Sequence, residues 1–403
     1  MRILRIVYDY PPPFLGLNPG IFEITNAQLK LGHQIELWCG GWPRKKKISS
    51  SILIKAIPDE KHRSNLKVKQ FPAAVPIFDI YLVTVPAVFL CLLLRSKTIV
   101  NNFDVIHCHG NLAIAFILAR KITRLKNMKF VFHLHVTAAG REEKALKNKE
   151  KVGFFDKYFR WHLHKYSDML GCADADAILC SSSSVKQEAK KFCNAKSNKL
   201  FVINNGVNCD IFRPGVESKR KDLGFSNNNC VIMSVGTLSQ RKGTLNLIKS
   251  LLFLPKQYYL LLAGRGNDEF LKFIRSEVIF LGLMGRVYLA GSVDYFDLAS
   301  YYKSADIFVL PSSYEGFPKV ILEALACELP VLTSKSFNVE PDFKKFLNYL
   351  PSTEPRDIAK EVVHILNEQI KPDAEKLRDS YSWEAIASKI DNIYAKLIKL
   401  NAT

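Results

Sequence analysis

The feature that most narrows what this chain can fold into is the four-residue apolar run Ile307-Phe308-Val309-Leu310. A Pro311-Ser312-Ser313 turn closes it, and a helix-forming stretch from Lys319 to Cys327 follows. A strand that is apolar at every position, not at alternate ones, must be covered on both faces, which is the condition of a parallel strand inside an α/β sheet. The plan recurs at Ile3–Tyr8, at Gln34-Ile35-Glu36-Leu37-Trp38 after the Gly32 helix stop, and at Asn102–His109. It recurs again at Lys129–His135, Val231–Val235 and Tyr259–Ala263. Strands alternating with helices predict doubly wound parallel sheets, with ligands at the carboxyl ends of the strands. At 403 residues the chain has room for two or three such domains.

At the end of Ile307–Leu310 stand two carboxylates, Glu315 and Glu323, eight positions apart. On a helix that spacing leaves them about 80° apart in projection and roughly 12 Å apart along the axis, so one elongated ligand can touch both. Gly316 between them lets backbone approach closely, and the helix start beyond Pro318 offers free amides to an anion. Two carboxylates flanking an anion cradle suit a nucleotide sugar, with a hexose at one end, a ribose at the other and a diphosphate between. The competing reading is an amphipathic helix with two solvated glutamates.

The remaining chemistry sits in loops after strands. Strand Ile3–Tyr8 opens into Asp9–Gly16, with a helix expected from Ile21 to Lys30. Val105–Gly110 carries His107 and His109, followed by a helix expected over Leu112–Leu125, and Phe130–His135 carries His133 and His135. Four histidines at strand ends raise the question of a metal, but they are not expected to converge on one. Asp174 and Asp176 form an Asp-x-Asp pair entering a strand, which favours a structural role over a metal site. Arg241 and Lys242 stand at an expected helix start within Gly236–Gly243.

Charge is uneven along the chain. Of the net +19, residues 1–200 hold 32 Lys and Arg against 15 Asp and Glu, while residues 201–403 hold 25 against 23. A basic first half predicts an acidic partner such as phospholipid, a lipid phosphate or nucleic acid. Val75–Leu94 is nearly long enough to span a bilayer, but Asp79, Pro76 and Pro86 favour a buried or membrane-contacting helix. Phe154, Phe155, Tyr158, Phe159 and Trp161 lie among lysines, a pattern shared by core and membrane-surface helices. Nine cysteines without Cys-x-x-Cys spacing imply reduced thiols and neither zinc nor a disulfide framework. The start of the chain reads as a first strand, not a signal peptide, so a cytoplasmic protein is expected, free or peripheral on the inner face of the membrane.

Val287–Val331, with Glu315-Gly316-Phe317-Pro318, Glu323, Ala324-Leu325-Ala326-Cys327 and Pro330-Val331, resembles the retaining glycosyltransferases of the GT-B fold, family 4 (group 1). Asp104–His109, the Ala-Asp-x-Ile segment at 175–178, Val202–Val207 and Tyr381–Glu384 are similar to further elements of that family, so the resemblance spans about the whole chain. It implies two doubly wound Rossmann-like domains with a cleft between them. An acceptor-binding domain would cover 1–207 and a donor-binding domain 208–380, with Gly215–Asn229 as linker. A closing helix over 381–403 would pack back on the first domain.

The same resemblance implies that Glu315 and His135 serve the transferred sugar and that Glu323 holds the ribose. Lys242, Gly236, Gly316, Phe317 and Pro318 would hold the donor, with Gly16 and His109 on the acceptor side at the cleft. Thr237 stands where the family has an arginine on the diphosphate; Arg241 is the expected substitute, with a solvated surface residue as the competing reading. No metal and no cofactor are implied beyond the nucleotide-diphosphate sugar. The acceptor would be a lipid-linked glycan or a polysaccharide precursor, and no nucleic acid is implied. Other GT-B enzymes, such as a nucleotide-sugar epimerase or phosphorylase, and a non-enzymatic membrane-docking protein are the rival readings.

Overall fold

The structure is a computed structural model. It describes residues 1–8, 18–40, 62, 64–71, 80–147, 159, 161–315, 317–337 and 339–399. The chain divides into two compact units, Met1–Asn204 with Trp383–Thr403, and Asn205–Ser382.

The first unit is built on seven strands: β1 (Arg2–Val7), β2 (Gln34–Gly40), β3 (Leu66–Phe71), β4 (Val105–His109), β5 (Lys129–Leu134), β6 (Ala177–Cys180) and β7 (Leu200–Val202). They lie in the order β3-β2-β1-β4-β5-β6-β7, all parallel. Period-two alternation divides their side chains between two apolar layers. Leu4, Ile6, Ile106, Phe130, Phe132 and Ile178 face one layer, with the helices Ile80–Asn102 and Ala113–Ile122. Ile3, Val105, Val131, Ala177 and Leu179 face the other, covered by the helices Asn18–Lys30 and Trp383–Lys399.

The C-terminal helix thus belongs to the first unit. Its buried positions 383, 386, 387, 390, 393, 394 and 397 recur at helical spacing and form one apolar stripe. At its polar edges Glu384 pairs with Lys30 at 2.9 Å, and Asp391 accepts from Gln28 at 2.7 Å and meets His33 Nε2 at 2.5 Å.

Two helix expectations shift. The stretch after β4 is a 3-10 turn, a helix Ala113–Ile122 and a second 3-10 turn, because Thr123 breaks the helix with extended backbone. The apolar stretch assigned to Val75–Leu94 becomes a helix running from Ile80 to Asn102, while Pro76 and Asp79 lie outside the described residues. Within it Val83–Asn102 is long and apolar enough to cross a membrane by composition. One face packs Val85, Val88, Leu92 and Ile99 into the core of the first unit, while Leu90 and Leu94 are 55% and 78% exposed.

The second unit holds β8 (Cys230–Val235), β9 (Tyr258–Ala263), β10 (Val287–Gly291), β11 (Ile307–Leu310), β12 (Val331–Thr333) and β13 (Asn348–Tyr349). They are parallel, in the order β10-β9-β8-β11-β12-β13. The Gly215–Asn229 stretch, expected as a linker, belongs to this unit. Arg220 pins it by donating to Asp306 and to the carbonyls of Ser304 and Asn229.

Each sheet reverses its strand order once, between β1 and β4 and between β8 and β11. At such a switch the connections leave in opposite directions and open a crevice at the carboxyl ends of the strands.

Candidate active site

In the second unit, β8 and β11 deliver the loops that face each other at the switch point. Beyond β8 the chain passes Gly236 and makes a 3-10 turn over Gln240–Lys242, capped by Ser239, whose hydroxyl accepts from the Lys242 amide. Gly243 ends that turn at φ +70°, and a Cβ there would stand 2.5 Å from the Pro311 carbonyl oxygen. Only glycine lets the cationic turn lie this close to the end of β11. Gly264 after β9 is tighter still: its φ is +148° and a Cβ would fall 1.8 Å from the Gly236 oxygen.

Packed in this way, the turn brings Arg241 and Lys242 onto one carboxylate. Lys242 Nζ lies 2.6 Å and Arg241 NH1 3.2 Å from the same Glu315 oxygen. Arg241 also donates to the Tyr314 carbonyl at 2.6 Å, while its own carbonyl accepts from the Ser313 amide at 2.8 Å. Neighbours on a regular helix point apart, and the tight turn is what allows these two to converge. Burial lowers the Lys242 pKa, with the Glu315 charge opposing it. Thr237 is exposed beside them.

Glu323 is 7% exposed on the helix Lys319–Ala326, and its carboxylate accepts from the buried Tyr302 hydroxyl at 2.9 Å. Burial raises its pKa, and the Lys319 charge and the Tyr302 bond lower it again. Neither glutamate is the solvated surface residue of the bland alternative, since Glu315 keeps 11% of its side chain exposed and pairs with two cations. Phe317 and Pro318 are buried, and the Phe317 carbonyl accepts from Asn205 at 2.9 Å. Gly316 lies outside the described residues, as does Gly16.

In the first unit the structure overturns the expectation that the histidines do not converge. Residues two apart on a strand share a face, so β4 and β5 set His107, His109, His133 and His135 side by side. His107 and His109 stack at 4.3 Å between ring centroids, His133 and His135 at 4.3 Å, and His109 and His133 lie 4.8 Å apart. His109 Nδ1 hydrogen-bonds His135 Nε2 at 3.0 Å, and His107 Nδ1 meets the Tyr394 hydroxyl at 2.6 Å. Burial, reinforced by Arg5 and the neighbouring imidazoles, holds His107, His109 and His133 well below the usual histidine range, hence neutral. Tyr394, Tyr302 and Arg5 carry no motif, and only the packing reveals them.

Ring nitrogens of His107, His109 and His133 lie within 4.8 Å of one another. Two metal–nitrogen bonds of about 2.1 Å span at most about 4.2 Å, so a spread of that size calls for ring rotation before a metal is held. The buried Arg5 charge opposes a cation at the same place. Asp174 and Asp176 are committed elsewhere. Arg120 bonds both carboxylates at 3.1 and 3.2 Å, and Asp176 also accepts from the Phe130 amide.

Residues 16–211 match the model of Glycosyltransferase Family 4, and residues 215–385 match that of Glycosyl transferases group 1. The chain is 25% identical over 412 residues to an uncharacterized glycosyltransferase of Methanocaldococcus jannaschii, covering 98% of each chain. It is 24% identical over 337 residues to the Escherichia coli UDP-Gal:alpha-D-GlcNAc-diphosphoundecaprenol alpha-1,3-galactosyltransferase, covering 77% of this chain and 80% of that one. In fold it is similar to the sucrose-phosphate synthase of Thermosynechococcus elongatus, with a TM-score of 0.78, 19% identity, and 99% and 100% of the two chains covered. The architecture is the α/β GT-B type, with two Rossmann-like sheets.

Proposed function

Since the chain belongs to the group 1, family 4 glycosyltransferases of the GT-B fold, we propose that it moves a sugar from a nucleotide-diphosphate donor to a hydroxyl of a lipid-linked glycan or polysaccharide precursor, with retention. The observation that carries this reading is the convergence of Lys242 and Arg241 on Glu315 at the β8/β11 switch point. Departure of a nucleoside diphosphate is the costly part of glycosyl transfer, and preorganised cations are the largest contribution a protein can make to it. In the absence of donor, Glu315 offsets one of the two positive charges and leaves the cluster at +1. When a diphosphate arrives, the cations turn to the phosphates and Glu315 is released toward sugar hydroxyls.

Glu323, held by Tyr302, takes the ribose hydroxyls, and Gly236, Phe317 and Pro318 contribute backbone around the phosphates. His135, carried by the resemblance, is assigned to the transferred sugar. Two cations and helix amides stabilise the leaving group in this reading, so no metal and no further cofactor take part. Retention follows if the acceptor hydroxyl attacks from the face of the departing phosphate, to which it gives its proton.

The lipid-linked acceptor is the natural partner for a chain whose basic charge is concentrated in residues 1–200 and which exposes Leu90, Leu94 and Ile122. A peripheral site on the cytoplasmic face of a membrane agrees with both. The test is a thermal-shift screen of nucleotide sugars followed by transfer to a lipid-diphosphate sugar acceptor. A ligand at 100 times its Kd adds about 2.7 kcal/mol. Absence of stabilisation by every donor class at that excess would reject the assignment.

A further inference from the structure

The histidine row ends on the C-terminal helix, and that end has a polarity. Arg5 is fully buried, donating from NH1 to Thr25 Oγ1 and from NH2 to Gln28 Oε1. With its oxygen turned to Arg5, Gln28 directs its amide nitrogen to Asp391. The Arg5 charge and the Gln28 side chain lie beside the Tyr394 hydroxyl and favour its oxygen side. A phenol oxygen turned toward a buried cation sends its own proton the other way, and the group it meets there is His107 Nδ1 at 2.6 Å. His107, neutral, then carries its proton on Nε2.

That Nε2, like His109 Nε2 and His133 Nδ1, is buried and without a hydrogen-bond partner among the described residues. His107 and His109 are stacked with ring nitrogens within 4.8 Å, so in this poorly screened setting the His107 N–H favours a lone pair, not a second N–H, on the unpartnered His109 Nε2. That leaves the His109 proton on Nδ1, donating to His135 Nε2 across 3.0 Å. His135 completes the line with its proton on Nδ1.

We propose that Tyr394 is a positioning residue. It fixes His107 in the Nε2–H form and, through the stack, holds His109 and His135 in the Nδ1–H form, so that the C-terminal helix sets which nitrogen of His135 carries the proton. The role for His135 rests on the transferase reading above, whereas the tautomers do not.

The experiment is therefore spectroscopic first. ¹⁵N-histidine is incorporated into the full chain, resonances are assigned by His→Gln changes, and ring nitrogens are read in wild type and in Tyr394→Phe. The phenylalanine keeps the edge contact with His107, whose centroids are 5.9 Å apart, and removes only the hydroxyl. The expected result is Nε2–H at His107 and Nδ1–H at His109 and His135 in wild type, with altered tautomer populations at all three in the variant. With an active donor and acceptor, kcat falls about tenfold in Tyr394→Phe while the donor KM holds, as for one lost hydrogen bond. His107→Asn adds little to that loss, because both changes break one line. A wild-type His135 protonated on Nε2, or a Tyr394→Phe spectrum in which only His107 moves, would overturn the proposal. Failure to find any transferase activity would count against the functional reading and leave the spectra to decide this one.

Discussion

Lys242 Nζ and Glu315 Oε1 lie 2.6 Å apart, with the Arg241 guanidinium on the same oxygen. Three charges are thereby held where β8 and β11 part, and the net charge of that cluster is +1 before any ligand arrives. On the proposed function, a dianionic diphosphate would meet cations that are already positioned and one anion that must give way.

Removing the anion exposes this balance. In Glu315→Gln two cations face each other without a carboxylate, and stability should fall by about 2–3 kcal/mol. That is below the 3–5 kcal/mol of a fully buried pair, because Arg241 keeps a third of its side chain exposed. Differential scanning calorimetry with and without nucleoside diphosphate is the measurement. The nucleotide should stabilise Glu315→Gln more than wild type, and an equal shift would show that the cations do not exchange partners.

The cations are not equivalent. Lys242 is the more buried, so Lys242→Ala should raise the transfer barrier by about 2–4 kcal/mol, the range for one preorganised donor. Arg241→Ala should cost about 1.5–3 kcal/mol, the value of a charged hydrogen bond. Single-turnover transfer compares them. Near-wild-type turnover of Arg241→Ala would leave Thr237 uncompensated and make the arginine a bystander.

Glu323 accepts from Tyr302, and the proposed function places this pair at the ribose end of the donor. Glu323→Ala should weaken donor binding at least about tenfold. Tyr302→Phe, which leaves the carboxylate in place but less fixed, should lose less. Calorimetric titration of the donor separates them, and unchanged affinity in Glu323→Ala would remove the ribose assignment.

Acid should loosen the first unit. His107, His109 and His133 are neutral when folded but protonate below about pH 6.5 when unfolded, so the unfolded state binds more protons and stability drops as pH falls. Each contributes about 1.4 kcal/mol per pH unit in that window. Asp168, raised by burial to about 7, works in the opposite sense between that value and the unfolded carboxylate pKa and offsets one of them. The net slope should be about 2.7 kcal/mol per unit between roughly pH 6 and 5. All four tryptophans lie in the segments of the first unit, so fluorescence-detected urea unfolding reads that unit alone. His133→Gln should lower the slope by about half, and a flat profile would contradict the burial of the row.

Membrane attachment predicts co-sedimentation with anionic but not neutral vesicles, fading with salt, at about 1 kcal/mol per adjacent Lys or Arg. Leu94→Glu should weaken it without unfolding, because that side chain is 78% exposed. Equal binding to both vesicle types would set the membrane aside.

Much of this protein is written in local sequence. Unbroken apolar runs such as Ile307–Leu310 can only be strands covered on both faces, and the helices between them make parallel sheets obligatory. Glu315, Glu323 and Lys242 were legible because the turns that carry them have fixed spacing and need particular residues. Local pattern also carried the Asp174/Asp176 pair as structural, since it leads directly into a strand.

What the tertiary structure decided are the pairings between residues far apart in the chain, which no local spacing encodes. Arg241 reaches Glu315 because Gly243 lets its turn close onto Pro311. Glu323 is fixed by Tyr302, a tyrosine with no signature of its own. The four histidines converge because β4 and β5 are adjacent in register, and Tyr394 meets them from 287 positions away. Local sequence selects backbone conformation through sterics and burial. Which distant side chains then touch depends on strand order and register, and those are fixed only when the whole sheet assembles.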